Sequence, residues 1–359
     1  MNLPNFTQSN NNPGLSPTLS VVMAVKNGGS LIKEAIDSIL GQTFGDFELI
    51  VINDGSDDNT LATLEAYTDP RIQVLTQENQ GISKTANRGF ALARGKYITR
   101  HDHDDISFPS RFAKQVAFLD AHPQIAYLGT RAEIWNLAGP TGKFHDHPST
   151  SGLLALDVIF DSPFVLSSCM FRKEVLQEIG MYTTDPQRYP MEDFEFAARV
   201  IHQYQTANLP ERLLAYREIP NSESSSIRSQ FESKRKLVLS RIALFSSENL
   251  AFASGLTEPN RDTHNFGALS HDFYEGIIAP LDYGKIRSLL TQAAKQIAIE
   301  FKEPAVHQAF NKKLQRLDYQ YYTWSGQKYH WQRLLYLLQN RSFIDHWYSV
   351  KKVWKNLAS

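Results

Sequence analysis

Between residues 19 and 100, short apolar runs alternate with helical patterns about every 25 residues, and few folds accommodate that rhythm. Leu19–Val25 and Phe47–Ile52 are nearly continuous apolar runs, the pattern of strands buried on both faces. Arg71–Thr76 and Lys96–Arg100 read as two more strands. After Ser30, a residue type suited to an N-cap, the positions Leu31, Ile32, Ala35, Ile36, Ile39 and Leu40 recur at helical spacing. A polar helix is expected to end near Tyr67 and another to run from Gly81 to near Arg94. The pattern predicts a Rossmann-like α/β body with a mostly parallel sheet. A helix from Pro109 to Ala121 and a strand at Ile125–Gly129 extend it, and residues 131–190 are less regular. There Val165–Phe171 reads as a strand and Arg172–Ile179 as a short helix, followed by a helix over Glu192–Tyr204.

Past residue 220 the material changes. The Pro220–Ser226 stretch reads as a domain boundary, and Ile227–Asn249, Tyr283–Phe301, Pro304–Tyr319 and Tyr329–Leu338 read as helices. The expected layout is a leader over 1–17, an α/β domain over 18–220 and an all-helical region over 221–359. The leader holds five Asn and three Pro with no apolar stretch, unlike a signal peptide. With 37 Lys and Arg against 38 Asp and Glu, the chain is neither a polybasic nucleic-acid binder nor an acidic disordered segment, so no nucleic-acid partner is expected. The one cysteine, Cys169, can form neither an internal disulfide nor a cysteine-based zinc site, which fits a reducing, cytoplasmic compartment. No apolar run is long enough to span a bilayer.

Open α/β sheets bind ligands beyond the carboxyl ends of their strands. Three polar clusters fall at such ends: Lys26-Asn27-Gly28, Asp54-Gly55-Ser56, and Asp102, Asp104 and Asp105 after the fourth strand. Carboxylates at short spacing suit Mg²⁺ or Mn²⁺ bridging a diphosphate. His101 and His103 flank the first aspartate and offer nitrogen ligands as an alternative. A fourth cluster, Glu192-Asp193-Phe194-Glu195, opens a helix whose apolar side is buried, which leaves Glu192 and Asp193 facing outward as candidates for a general base.

The ordered segments Leu19–Asn27, Phe47–Ser56, Gln80–Gly89, Gly95–Arg111, Met170–Lys173 and Glu192-Asp193 resemble the family 2 inverting glycosyltransferases of GT-A fold, most closely bacterial members that build capsule, exopolysaccharide and O-antigen chains. The resemblance covers residues 18–217. It implies transfer from a nucleotide-sugar donor, usually a UDP-sugar, to a glycan or lipid-linked acceptor, with Mg²⁺ or Mn²⁺ as cofactor. Asp54 then matches the acid that contacts the nucleobase, with Ala24, Val25 and Asn27 lining the same pocket. Asp102 and Asp104 match a DxD pair, Asp104 as direct metal ligand and Asp102 nearer the ribose. Asp193 matches the catalytic base, and Arg100 and Arg111 fall at flanking basic positions. A catalytically inactive binding subunit, a metal-dependent hydrolase and a nucleotidyltransferase are the competing readings.

Residues 311–359 hold nine Lys and Arg against two acids, and four of the five tryptophans. Aromatic rings among basic residues suit the headgroup level of an anionic membrane, so peripheral attachment to the inner face of the cytoplasmic membrane is one expectation. Packing of the helical region, or a homo-oligomer contact, is the other.

Overall fold

The computed structural model describes residues 16–219 and 232–325. The leader through residue 15, the 220–231 boundary and the 329–338 helix lie outside the described residues. In the first half the strands and helices are β1 (Leu19–Val25), α1 (Leu31–Leu40), β2 (Phe47–Asp54), α2 (Thr60–Glu65), β3 (Ile72–Gln77), α3 (Ile82–Leu92), β4 (Tyr97–Arg100), β5 (Ile106–Ser107) and α4 (Arg111–Ala121). There follow β6 (Ile125–Asn136), β7 (Gly139–His145), α5 (Ser151–Asp157), β8 (Met170–Arg172), α6 (Glu174–Ile179), α7 (Glu192–Ile201) and β9 (Gln205–Arg217). Four helices complete the described chain: α8 (Glu232–Ala253), α9 (Arg261–Ser270), α10 (Tyr283–Glu300) and α11 (Ala305–Trp324).

The sheet runs β3-β2-β1-β4-β8-β6-β9-β5, with β7 paired to β6. The β3-β2-β1-β4 half is parallel, in register Leu19↔Phe47 and Leu19↔Tyr97. Every residue of β1 and β2 is buried, as the apolar runs require of strands covered on both faces. Alternation sorts their side chains: Val22, Ile50 and Ile52 enter one core with Phe90 of α3 and Phe194 of α7. Val21, Met23, Leu49 and Val51 enter the other with Ile32 and Ile36 of α1 and Phe112 of α4.

The helices α8–α11 do not stand apart. Phe245, Phe266, Leu290 and Leu317 continue the α3/α7 core, and Phe245 meets Phe194 edge-on at 5.5 Å. Arg188, ahead of α7, grips Glu248 of α8 with both terminal guanidinium nitrogens, at 2.7 and 3.0 Å. Among the described residues no helix is long and apolar enough to cross a membrane.

Three segments differ from the sequence reading. The expected strand Val165–Phe171 is a 3-10 turn at Leu166–Ser168 followed by the short β8. The backbone N–H of Ser168 and of Cys169 turn back to the carbonyls of Val165 and Leu166, and the Ser168 hydroxyl also donates to Val165, so the serines close a local turn in place of a ladder. The long strands β6 and β9 hide behind polar residues. Their parallel register steps from Leu209↔Thr130 to Arg212↔Arg131, which bulges the exposed Pro210 and Glu211 out of the pairing. The capped helix α9 starts at Asn260, whose side chain accepts from the N–H of Asp262 and of Thr263.

Candidate active site

The carboxyl ends of β1, β2 and β4 form one edge of the parallel half, and the loops there are stitched to one another. Asn27, in the left-handed region at φ 56°, donates its N–H to Ser56 Oγ at 3.0 Å and accepts from the N–H of Asp57 at 3.0 Å. Ala24 and Val25, just before it, are buried opposite Ile52 and Asn53. Asp54 is also buried, and its carboxylate accepts from Gln77 Nε2 at 2.7 Å and from the N–H of Gln80 and of Gly81 at 2.9 Å each. Three of roughly four acceptor positions on that carboxylate are thereby taken, which makes Asp54 the anchor of the 77–81 turn and leaves about one for a ligand. Gly55 permits this closeness: at φ 69°, a Cβ there would stand 2.9 Å from the Asn79 nitrogen.

The acidic run after β4 divides into three environments. Arg100 is 6% exposed, and its Nη2 donates to Asp102 Oδ1 at 2.8 Å. Burial on its own would raise the Asp102 carboxyl, but the Arg100 charge holds it below the ordinary value. The Asp102 N–H donates to Ser167 Oγ at 3.1 Å, so the serine turn seats the loop. Asp104 is half-buried and makes no ion pair among the described residues; burial and the Asp102 charge raise its carboxyl against the pull of His103 and Arg217. Asp105 is fully buried and accepts the Arg217 N–H at 2.9 Å, which ties the loop to the end of β9. Burial, then Asp104 and Asp102, push its carboxyl well up.

The histidines part company. His101 is fully buried, with Nδ1 2.7 Å from the Asp102 carbonyl and Nε2 2.8 Å from Ser107 Oγ. A carbonyl only accepts, so Nδ1 carries the proton and Nε2 takes the serine hydroxyl. Burial, followed by the Arg111 charge, pushes this imidazole down to about 3 and keeps it neutral. Both ring nitrogens are thus engaged, which removes His101 as a nitrogen ligand. His103 is half-buried between Asp102 and Asp104 in the chain. Arg111 lies beneath the site: fully buried, it donates to the Ser167 carbonyl and, at 3.4 Å, to Thr99 Oγ1.

The pair Glu192-Asp193 opens α7 at the same edge. Contrary to the outward placement expected from the helix pattern, Glu192 is only 5% exposed. The reason is Arg100, whose Nη1 donates to Glu192 Oε1 at 3.3 Å and gives the buried acid a counter-charge. Burial pushes the Glu192 carboxyl up to about 7, with Arg100 opposing and Asp193 adding to it. Among the described residues Glu192 Oε2 has no hydrogen-bond partner. Asp193 is half-buried, accepts from the Phe194 N–H at 2.8 Å, and is raised by burial against the pull of Arg100. Glu195 belongs elsewhere: both its oxygens take Arg199, at 2.8 Å each.

A hard divalent cation fits these donors. Asp102 and Asp104 offer oxygen ligands, and the raised Asp104 carboxyl marks an excess of negative charge that a cation would relieve. Among the described residues no three His, Cys, Asp or Glu side chains converge as a complete cage, and a metal completed by diphosphate oxygens needs none.

The α/β sheet with its helical extension is a GT-A fold. Crystallised S. aureus TarS, residues 1–349 in complex with UDP-GlcNAc, superposes with a TM-score of 0.55 over 87% of this chain and 93% of that one, at 17% identity. A model of glycosyl transferase family 2 matches residues 20–180. An uncharacterized glycosyltransferase of Haemophilus influenzae is 33% identical over 220 residues, 58% of this chain and 68% of that one. The Escherichia coli O-antigen biosynthesis glycosyltransferase WbnJ is 31% identical over 222 residues, 60% of this chain and 85% of its own length. The chain belongs to the family 2 glycosyltransferases.

Proposed function

We propose that the protein moves a sugar from a nucleotide-sugar, a UDP-sugar in the first instance, to a hydroxyl of a glycan or lipid-linked acceptor in bacterial surface polysaccharide synthesis, with inversion at the anomeric carbon. The observation that carries this reading is a meeting of two acidic segments. The Asp102–Asp105 loop and the Glu192-Asp193 pair lie some 90 residues apart in sequence, yet Arg100 touches both. The relatives support the setting, since WbnJ is an O-antigen enzyme by name. TarS, a fold neighbour, was crystallised with UDP-GlcNAc.

In this reading Ala24, Val25, Asn27 and the remaining acceptor position of Asp54 line the nucleobase pocket. Asp104, with Asp102, would hold Mg²⁺ or Mn²⁺, whose charge stabilises the departing diphosphate. Asp193 accepts the proton of the acceptor hydroxyl as its oxygen attacks the anomeric carbon. The bond to the diphosphate breaks, and its electron pair leaves with the phosphate oxygen. Attack on the face opposite the leaving group inverts the centre, and one base suffices, unlike the two carboxylates of glycoside hydrolysis. Arg100 and Arg111 build the floor of the site, with Arg111 too deeply buried to reach the donor. The same reading puts the protein on the inner face of the cytoplasmic membrane through residues 311–359, of which the exposed Trp324 is the last described tryptophan.

Release of UDP from UDP-GlcNAc, UDP-glucose and UDP-galactose with Mn²⁺, rising when a polysaccharide or lipid-linked acceptor is added, tests the reading. Asp104→Ala is expected to abolish metal-dependent donor binding; equal affinity with and without Mn²⁺ in wild type and variant alike would contradict the metal assignment.

A further inference from the structure

We infer that Arg100 is a positioning residue that holds the catalytic base in place by bolting the first turn of α7 to the metal-binding loop. The inference rests on the reading of Asp193 as base. Among the described residues the Asp193 carboxylate accepts a hydrogen bond from the next residue's N–H, a local contact that does little to fix it relative to the rest of the site. The place of its carboxylate is therefore set by the helix start, and that start is held through Glu192. Arg100 spans the gap, with Nη2 on Asp102 at 2.8 Å and Nη1 on Glu192 at 3.3 Å. One rigid planar cation touching both acids sets the distance between the diphosphate side and the acceptor side of the site.

The guanidinium is itself immobilised. It lies 5.7 Å from the centre of the Tyr182 ring, on the ring face. Tyr182 is wedged edge-on against Phe90 at 5.1 Å and Phe196 at 5.2 Å. Its backbone is clamped by Asn87 on both sides of the peptide, at 2.8 and 3.0 Å. Such support is what a positioning group needs and a mobile phosphate-binding arginine does not.

A lysine at this position keeps the charge but replaces the two-pronged fork with a single point donor. Arg100→Lys is therefore expected to fold, to bind UDP with Mn²⁺ near the wild-type affinity, and to lose about 10- to 100-fold in kcat with little change in donor KM, the usual cost of a misplaced reacting group. In a Glu192→Gln background, where the link is already weakened, the same change is expected to cost far less. The thermal midpoints of the two single variants and the double variant are expected to be non-additive in the same sense, a readout that needs no turnover. Wild-type kcat in Arg100→Lys, or losses that simply add in the double variant, would overturn the inference. Asp193→Asn run alongside separates the two ideas. If Asp193→Asn turns over like wild type, the base assignment fails and this inference falls with it. If Asp193→Asn is inactive and Arg100→Lys is not impaired, the inference alone fails.

Discussion

Asn87 and Tyr182 exchange a reciprocal pair of hydrogen bonds across 95 residues of sequence: Asn87 Nδ2 donates to the Tyr182 carbonyl, and the Tyr182 N–H donates to Asn87 Oδ1. The contact joins α3 to the loop ahead of α7, and through the Tyr182 ring it supports Arg100. An amide suits this place because its donor and acceptor sit on separate atoms, one for the carbonyl and one for the N–H. Asn87→Ala leaves two backbone groups unpaired, at about 1–3 kcal/mol for each buried group stranded. The expected outcome is a clear fall in the urea midpoint with unchanged m-value; a shift within error would show that the clamp is dispensable.

Much of this arrangement is legible in the sequence, and the parts that are not have physical reasons. β1 was readable to the residue because both its faces are buried and its apolar run is unbroken. The acidic loop and the Glu192-Asp193 pair were readable as motifs at the ends of regular elements. The Ser167-Ser168 pair inside an otherwise apolar run is the available sign of a turn, yet its partners, Asp102 in the loop after β4 and Thr130 of β6, are distant in sequence and leave no local trace. Arg217, which anchors Asp105 through its N–H and pairs with Glu34, is likewise placed by the pairing of β9 with β6 and β5. The burial of Glu192 could not be read from helix periodicity, since its counter-charge lies 92 residues away.

Glu192 gives the fold a pH dependence of definite sign. Its carboxyl rises from an ordinary 4.5 to about 7 in the folded chain, because burial disfavours the charged form. Below the lower value both states carry the proton. Between the two the folded state binds more protons, so stability falls as pH rises, and above about 7 the full cost of the buried charge is present. Glu192→Gln is expected to flatten this slope: the wild-type thermal midpoint should fall more steeply than the variant's from about pH 5 to about pH 8. Parallel curves would place the titration elsewhere.

Glu195 is the neighbouring acid most easily mistaken for the base, and its partners set it apart. It holds Arg199, which in turn donates to the carbonyls of Met181, at 2.7 Å, and Ile179. Glu195→Gln is expected to cost stability, about 1–3 kcal/mol for a charge-assisted pair, while kcat stays near wild type. A variant of native stability and low kcat would move Glu195 into the chemistry.

The basic aromatic tail begins inside the core. Val306, Phe310 and Leu317 of α11 are buried, and Tyr321 stacks on Tyr283 at 4.0 Å, so the chain up to Trp324 packs against the helical region. A cut after residue 325 keeps this packed helix and removes the rest of the 311–359 stretch. Full-length protein is expected to co-sediment with phosphatidylserine vesicles at low salt and a 1–325 chain to bind less, since each basic residue near an anionic surface contributes about 1 kcal/mol. Equal binding by the two, or none by either, would make the tail a packing or oligomer element.

The central claim is that Asp193 takes a proton from an acceptor hydroxyl while the metal-side acids hold the donor. Its most direct test is kcat for acceptor-dependent UDP release in Asp193→Asn, measured beside the affinity of the same variant for UDP and Mn²⁺. The expected outcome is unchanged binding and a turnover lowered by about 10²–10⁴, the range a general base supplies. A loss of less than tenfold with binding intact would contradict it.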